Sequence, residues 1–140
     1  MSEQQFQVGV KALVRRDDGK ILLLREADHP DSYWDLPGGR VELGESLAET
    51  LQRELREEIC GEIAGEPELI TAVVAKKVIR DARGEFALLL AVYNVAIQDP
   101  ESVRSGEEGV VLEWFTPIEG AERLRDKFPE EFQSYARGLV

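Results

Sequence analysis

Apolar residues in this chain mostly alternate with polar ones or run in short blocks, and once they switch to a four-residue period. Val8 to Val14 and Lys20 to Leu24 predict two strands, joined by a turn at Asp17-Asp18-Gly19. Glu26 to Tyr33, with His29-Pro30-Asp31-Ser32, predicts a loop leading to a glycine turn at Gly38-Gly39. Leu47, Leu51, Leu55 and Ile59, with Ala48 beside them, then form the apolar stripe of one principal helix. Ser46 is its N-cap, and Glu49 completes a capping box. Downstream, Leu69 to Ile79 and Phe86 to Ile97 are apolar runs on either side of Asp81-Ala82-Arg83-Gly84, a hairpin signal. Asp99 to Gly109 is polar and predicts a loop, and Val110 to Phe115 a short strand. Pro117 suits the first turn of a helix over Ile118 to Leu124. A terminal helix is expected over Phe128 to Leu139, with Phe132, Tyr135, Ala136 and Leu139 on one side. Periodicity alone therefore gives an α+β fold, expected as one domain over residues 1–140.

The principal helix carries more than a core stripe. Glu54, Glu57 and Glu58 stand at i, i+3 and i+4, so they share one face. At about 1.5 Å of rise per residue they lie within roughly 6 Å along the axis. Three anions that close repel one another unless solvent dilutes the repulsion or a hard cation such as Mg²⁺ uses it. The acidic face borders the apolar stripe, which puts the carboxylates at the rim of the buried surface, where a cleft can form. Arg53, four residues from both Glu49 and Glu57, can orient a carboxylate by ion pairing. An isolated Arg-Glu-x-x-Glu-Glu is most simply a solvated helix face in an acidic protein. Gly39 and Glu45 upstream, at the spacing seen here, change that weighing.

Gly39, Glu45, Arg53, Glu54, Leu55, Glu57 and Glu58 together resemble the signature of the Nudix hydrolase family, MutT-like in type. The lead-in Trp34-Asp35-Leu36-Pro37-Gly38-Gly39 resembles the family's approach to it. The chain departs at the end, with Cys60 in place of the family's glycine and Gly61 in place of an aliphatic residue. Gly61 is then expected to supply the left-handed residue that ends the helix. The resemblance implies an α/β/α sandwich with a mixed sheet, and metal-dependent hydrolysis of a phosphoanhydride. It implies Glu54, Glu57 and Glu58 as ligands of Mg²⁺ or Mn²⁺, with Glu58 the firmest, and Glu54 as the leading candidate for the base. Gly38 would offer its carbonyl to the metal, while Gly39, Glu45 and Arg53 would hold turn and helix in register. A further glutamate six residues before a late-strand tryptophan corresponds to Glu108 before Trp114, with Glu107 as second choice. Either could equally be a solvated acid in an acidic loop.

Composition narrows the partners. The net charge of −11 argues against a long nucleic-acid backbone as main ligand, but not against a nucleotide. Charged residues at 32% and hydrophobic ones at 43% are ordinary for a globular chain able to bury a core. The single cysteine, Cys60, excludes an intrachain disulfide and suits a reducing, cytoplasmic compartment. Met-Ser-Glu-Gln-Gln-Phe lacks a basic stretch followed by an apolar run, so no signal peptide is expected. Phe86 to Ala96, the longest apolar stretch, is too short to span a membrane. A homodimer stays open.

Substrate-binding candidates are fewer. Arg25, after the apolar strand, matches a position where Nudix members often have arginine and could contact phosphate, or it could close a surface ion pair. Trp34 and Phe86 could stack on a base or belong to the core. Lys76, Lys77 and Arg80 read first as solvent-facing charge. His29 reads as a loop residue. The proline or tyrosine that marks ADP-ribose-type or dinucleotide-type members is missing near Lys76 to Ile79, and patterns for NADH or coenzyme A are missing too. A nucleoside triphosphate, one with a damaged base included, remains by elimination, cleaved to monophosphate and pyrophosphate. The alternatives are a nucleotide-sugar or dinucleotide pyrophosphatase, an RNA 5′-end pyrophosphohydrolase, or a non-catalytic ligand-binding domain of the same fold.

Overall fold

The strands assemble around β6, which is long enough to pair with three others. The computed structural model describes residues 3–29 and 32–139. In chain order the elements are β1 (Phe6–Val14), β2 (Ile21–Glu26), β3 (Gly38–Arg40), α1 (Leu47–Ile59), β4 (Ile63–Val74) and β5 (Ile79–Asp81). They continue with β6 (Gly84–Ile97), β7 (Val110–Phe115), α2 (Pro117–Arg123) and α3 (Glu130–Arg137). Short 3₁₀ turns fall at Pro100–Ser102 and Leu124–Asp126. The main sheet runs β3-β1-β6-β4, with β5 also on β6, and β2 pairs with β7 in a second sheet. β1 and β6 are parallel, and the other pairs are antiparallel. The result is a mixed sheet with helices, as the resemblance implies.

Both faces of the sheet are covered, which explains why residues 9–14 of β1 are all buried instead of alternating. Val10, Ala12 and Val14 pack with Leu51, Leu55 and Ile59 of α1. Leu13, Leu88 and Leu90 pack on the other side with Leu124, Phe128 and Phe132. Each fully buried leucine or isoleucine contributes about 1.5–3 kcal/mol. The capping box at Ser46 and Glu49 forms in both directions, at 3.1 and 3.0 Å.

Several expectations change. The turn at Asp17-Asp18-Gly19 joins strands of different sheets, and among the described residues the two are linked in ladder fashion by one bridge, from Arg15 just past β1 to Ile21. Within the loop predicted over Glu26 to Tyr33, Glu26 ends β2, and Pro30 and Asp31 lie outside the described residues. The glycine turn is itself a strand, β3. The run from Leu69 to Ile79 divides: β4 begins at Ile63, and the chain leaves the ladder after Val74. There Lys76 N–H donates to the Lys127 carbonyl at 2.7 Å, pulling the segment towards the C-terminal part of the chain. Ala48 is exposed, and Leu47 is 37% exposed; buried Thr50 takes the inward place, donating to Glu45 at 2.9 Å. In α3 the inward residues are Phe132, Gln133 and Ala136, while Tyr135 is exposed.

The helix end is also different. Cys60, not Gly61, adopts the left-handed conformation, with φ 54° and ψ 37°. An L-residue there costs about 1–2 kcal/mol, and glycine returns part of that gain through its freer unfolded chain. Cys60→Gly is therefore expected to stabilise the protein by about 0.5–1 kcal/mol in urea unfolding. A loss of stability would show that the thiol packs better than its backbone strain suggests.

Candidate functional site

The glycine turn lies so close to β1 on one side and α1 on the other that a side chain at either glycine would collide with one of them. Gly38 has φ +148°, and a Cβ there would sit 2.0 Å from the Val10 carbonyl oxygen. At Gly39 a Cβ would fall 2.3 Å from the Glu54 carboxyl carbon. Gly38 N–H donates to Glu58 Oε1 at 2.7 Å, so the turn grips the helix directly.

Arg53 is the clamp. Its Nε and Nη2 donate to the Glu45 carboxylate at 2.7 and 2.9 Å, and Nη2 also reaches the Arg40 carbonyl at 3.3 Å. Nη1 donates to Glu54 at 2.8 Å and lies 3.5 Å from Glu57. Glu57 is paired as expected, but Glu49 is not: it serves the capping box, and Glu45 takes its place on Arg53. The Arg53 hydrogen bonds hold Glu45 down at about 2, and Glu45 in turn raises Arg53.

The three acids of α1 differ in environment. Burial pushes Glu58 up to about 7, against the pull of Lys11 and the Gly38 N–H. Burial also raises Glu54, opposed by Arg53. The Glu57 side chain is 55% exposed. Among the described residues no three carboxylate, imidazole or thiolate groups form a ready-made metal cage. The set fits Mg²⁺ chemistry all the same, since that ion is held by one or two carboxylates and takes its remaining oxygens from water and substrate phosphates.

Glu58 opens onto a cavity of about 320 Å³ that Leu24, Arg25, Glu26, His29, Ser32, Tyr33 and Asp35 also line. Arg25 thus shares the space with Glu58, its guanidinium donating to Ser32 Oγ at 3.3 Å. Trp34 does not line this cavity. It packs edge-on to Phe115, with ring centroids 5.0 Å apart, and Arg25 lies 5.2 Å from its ring. Phe86 is core, flanked by Arg40 and Arg83. Lys76 and Arg80 are exposed, on the Arg125 carbonyl and Glu85 respectively; Lys77 reaches inward, 5.0 Å from the Tyr33 ring.

Glu108 sits in a loop whose backbone is docked at the end of α1. Arg104 and Gly106 N–H groups donate to the Ile59 and Glu58 carbonyls at 3.1 and 2.9 Å, satisfying helix-end acceptors. Gly109 accepts from Ala27 N–H at 2.8 Å. Among the described residues the exposed Glu108 carboxylate has no hydrogen-bond or ion-pair partner. Glu108→Gln is expected to lower kcat at least about tenfold, and Glu107→Gln less than twofold, if the loop delivers one carboxylate to bound substrate. Near-wild-type rates for both at saturating substrate would remove this loop from the mechanism.

Sequence reasoning missed a buried charge cluster beside the site. Lys11 and Lys127 both donate to Asp35 Oδ2, at 3.0 and 2.6 Å, and Lys11 also reaches the Leu36 carbonyl at 3.2 Å. Burial opposes charge on all three. Even so, Asp35 and Glu58 hold Lys11 above its ordinary value, and the lysines hold Asp35 below its own. Lys127 falls to about 8, through burial and then Lys11. A lysine inside the apolar run Val8 to Val14 was the available signal; nothing local marked Lys127, 92 residues from Asp35.

The NUDIX domain matches this chain over residues 5–137. The chain belongs to the Nudix family. A MutT NUDIX hydrolase from Burkholderia pseudomallei is 29% identical, with 81% of this chain and 85% of that one covered and a TM-score of 0.65. The ORF135 protein of E. coli is 28% identical over 86% and 80%, at a TM-score of 0.61. The MutT protein from Methanosarcina mazei Go1, 24% identical over 98% and 94% with a TM-score of 0.71, shares the fold. No curated protein matches the sequence. The chain is accordingly a Nudix pyrophosphohydrolase, acting on nucleoside diphosphates linked to another moiety. Nudix hydrolases generally use a divalent metal and small nucleotide substrates. Among the described residues no helix is long and apolar enough to cross a membrane.

Proposed function

We propose that this Nudix enzyme hydrolyses a nucleoside triphosphate to the monophosphate and pyrophosphate, with Mg²⁺ or Mn²⁺ held by Glu54, Glu57 and Glu58. The observation that carries this reading is the half-buried Glu58 carboxylate, fixed by Gly38 N–H and lining a cavity that Arg25 also lines. When bound, a divalent ion neutralises phosphate charge and acidifies a water molecule. Gly38 adds its carbonyl to the ligand set. Glu45 and Arg53 keep the acids aimed, and Arg25 binds phosphate oxygens.

Glu54 takes a proton from the attacking water. Burial brings its proton affinity closer to neutrality, where a base works best, and Arg53 keeps it oriented. The water oxygen bonds to the β-phosphorus, and the bridging oxygen leaves with the nucleoside monophosphate. Glu108 completes the site from its docked loop, and Trp34 supports Arg25 from behind.

Hydrolysis in ¹⁸O-water is expected to place label in pyrophosphate, and excess EDTA to abolish turnover until Mg²⁺ is restored. Label in orthophosphate with a nucleoside diphosphate as co-product would overturn the proposed cleavage. Full turnover in EDTA would overturn the metal assignment.

A further inference from the structure

A second cavity, of about 140 Å³, adjoins the first through Tyr33, which lines both. Lys11, Arg40 and Lys127 line it, among the described residues no carboxylate does, and Ile79, Leu88 and Leu90 give it aliphatic walls. Two lysines share the one Asp35 carboxylate, with Glu58 acting only on Lys11, so among the described residues Lys127, only 5% exposed, has no carboxylate of its own and otherwise faces the Tyr33 ring at 5.5 Å. Such a charge is costly to bury without a partner. Among the described residues Lys127 Nζ donates a single hydrogen bond, to Asp35, leaving two of the three ammonium hydrogens unspent.

Size and walls narrow what the cavity takes. A void of about 150 Å³ holds one six-membered ring. Aliphatic walls suit the flat face of such a ring better than a phosphate. The ammonium is a donor only, so it matches a keto oxygen and opposes an amino group, whose own N–H would face it.

We propose that this cavity receives the six-membered ring of the substrate's base, and that Lys127, with Lys11 beside it, selects a keto edge over an amino edge. This rests on the nucleoside triphosphate reading above.

UTP and CTP test it, because their bases differ in keto against amino at C4, with the neighbouring N3 changing from donor to acceptor. The expected kcat/KM for UTP exceeds that for CTP by about 10- to 100-fold, and UMP binds at least about tenfold tighter than CMP in calorimetry. Lys127→Met, which leaves Lys11 and Asp35 as a neutral pair, is expected to bring each ratio to within about threefold of one. Lys127→Gln, which brings an acceptor, is expected to lower them as well. Equal handling of the two bases by the wild-type protein overturns the inference whether or not either variant folds, as does a ratio unchanged in folded variants. The two readings separate cleanly. Hydrolysis of both triphosphates without preference removes the keto selectivity alone, and selective UMP binding without hydrolysis removes the triphosphate activity alone.

Discussion

Glu58→Gln is expected to lower kcat by at least about 100-fold while the protein stays folded. The glutamine oxygen can still accept the Gly38 N–H that Glu58 Oε1 accepts at 2.7 Å, so the turn keeps its grip on α1. What disappears is the anion. The same substitution has an opposite effect on stability, and its sign follows from protonation. Burial raises Glu58 from 4.5 to about 7 in the folded chain, so between those values the folded state binds the extra proton. Stability associated with this group is present below about 4.5 and is lost as pH rises through about 7. Without metal, the variant is therefore expected to be more stable than wild type at pH 8, by up to about 3 kcal/mol, and similar at pH 4. Urea unfolding in EDTA at both pH values, beside steady-state rates in Mg²⁺, measures the two effects. A folded variant within a few-fold of the wild-type rate would withdraw Glu58 from the site.

Gly38→Ala is expected to cost more than about 3 kcal/mol, enough to lower Tm by roughly 10 °C or to prevent folding. The added methyl would lie 2.0 Å from the Val10 carbonyl oxygen and 2.9 Å from Lys11 Cα, both backbone atoms of buried β1. The left-handed φ adds strain of its own. Gly44→Ala is the matched control: φ is +89°, but nothing lies within 4 Å of the new methyl. Only the strain remains there, about 1–2 kcal/mol. Gly39→Ala meets the movable end of Glu54 instead, so its loss is expected in kcat more than in Tm. Similar melting points for the Gly38 and Gly44 variants would show that close packing of the turn on β1 does not matter.

Much of the candidate site was legible because it is local. Glu54, Glu57 and Glu58 share a face by helix geometry alone, and Ser46 with Glu49 marks where that helix starts. The Arg53 partnership was half legible. An i, i+4 rule finds Glu57, but Glu45 reaches Arg53 only because the preceding loop folds back, and the cap claims Glu49. The helix end misled for a related reason. Glycine is the preferred left-handed residue, yet the chain turns one residue earlier, at Cys60.

By itself the sequence determined the α+β class, the principal helix with its acidic face, and the residues that relate this chain to its family. Local periodicity and capping suffice for the first two, because they depend on residues a few positions apart, and the third is a resemblance carried by one short segment. Only the tertiary structure decided which acids are shielded from solvent, that Arg25 and not Trp34 shares a cavity with Glu58, and that Lys127 meets Asp35. Burial and charge pairing are set by elements brought together from opposite ends of the chain: the Lys127 segment closes on β1 and the Asp35 turn because Phe128 and Phe132 pack into the same core as Leu13 and Leu36. No short-range pattern encodes that meeting.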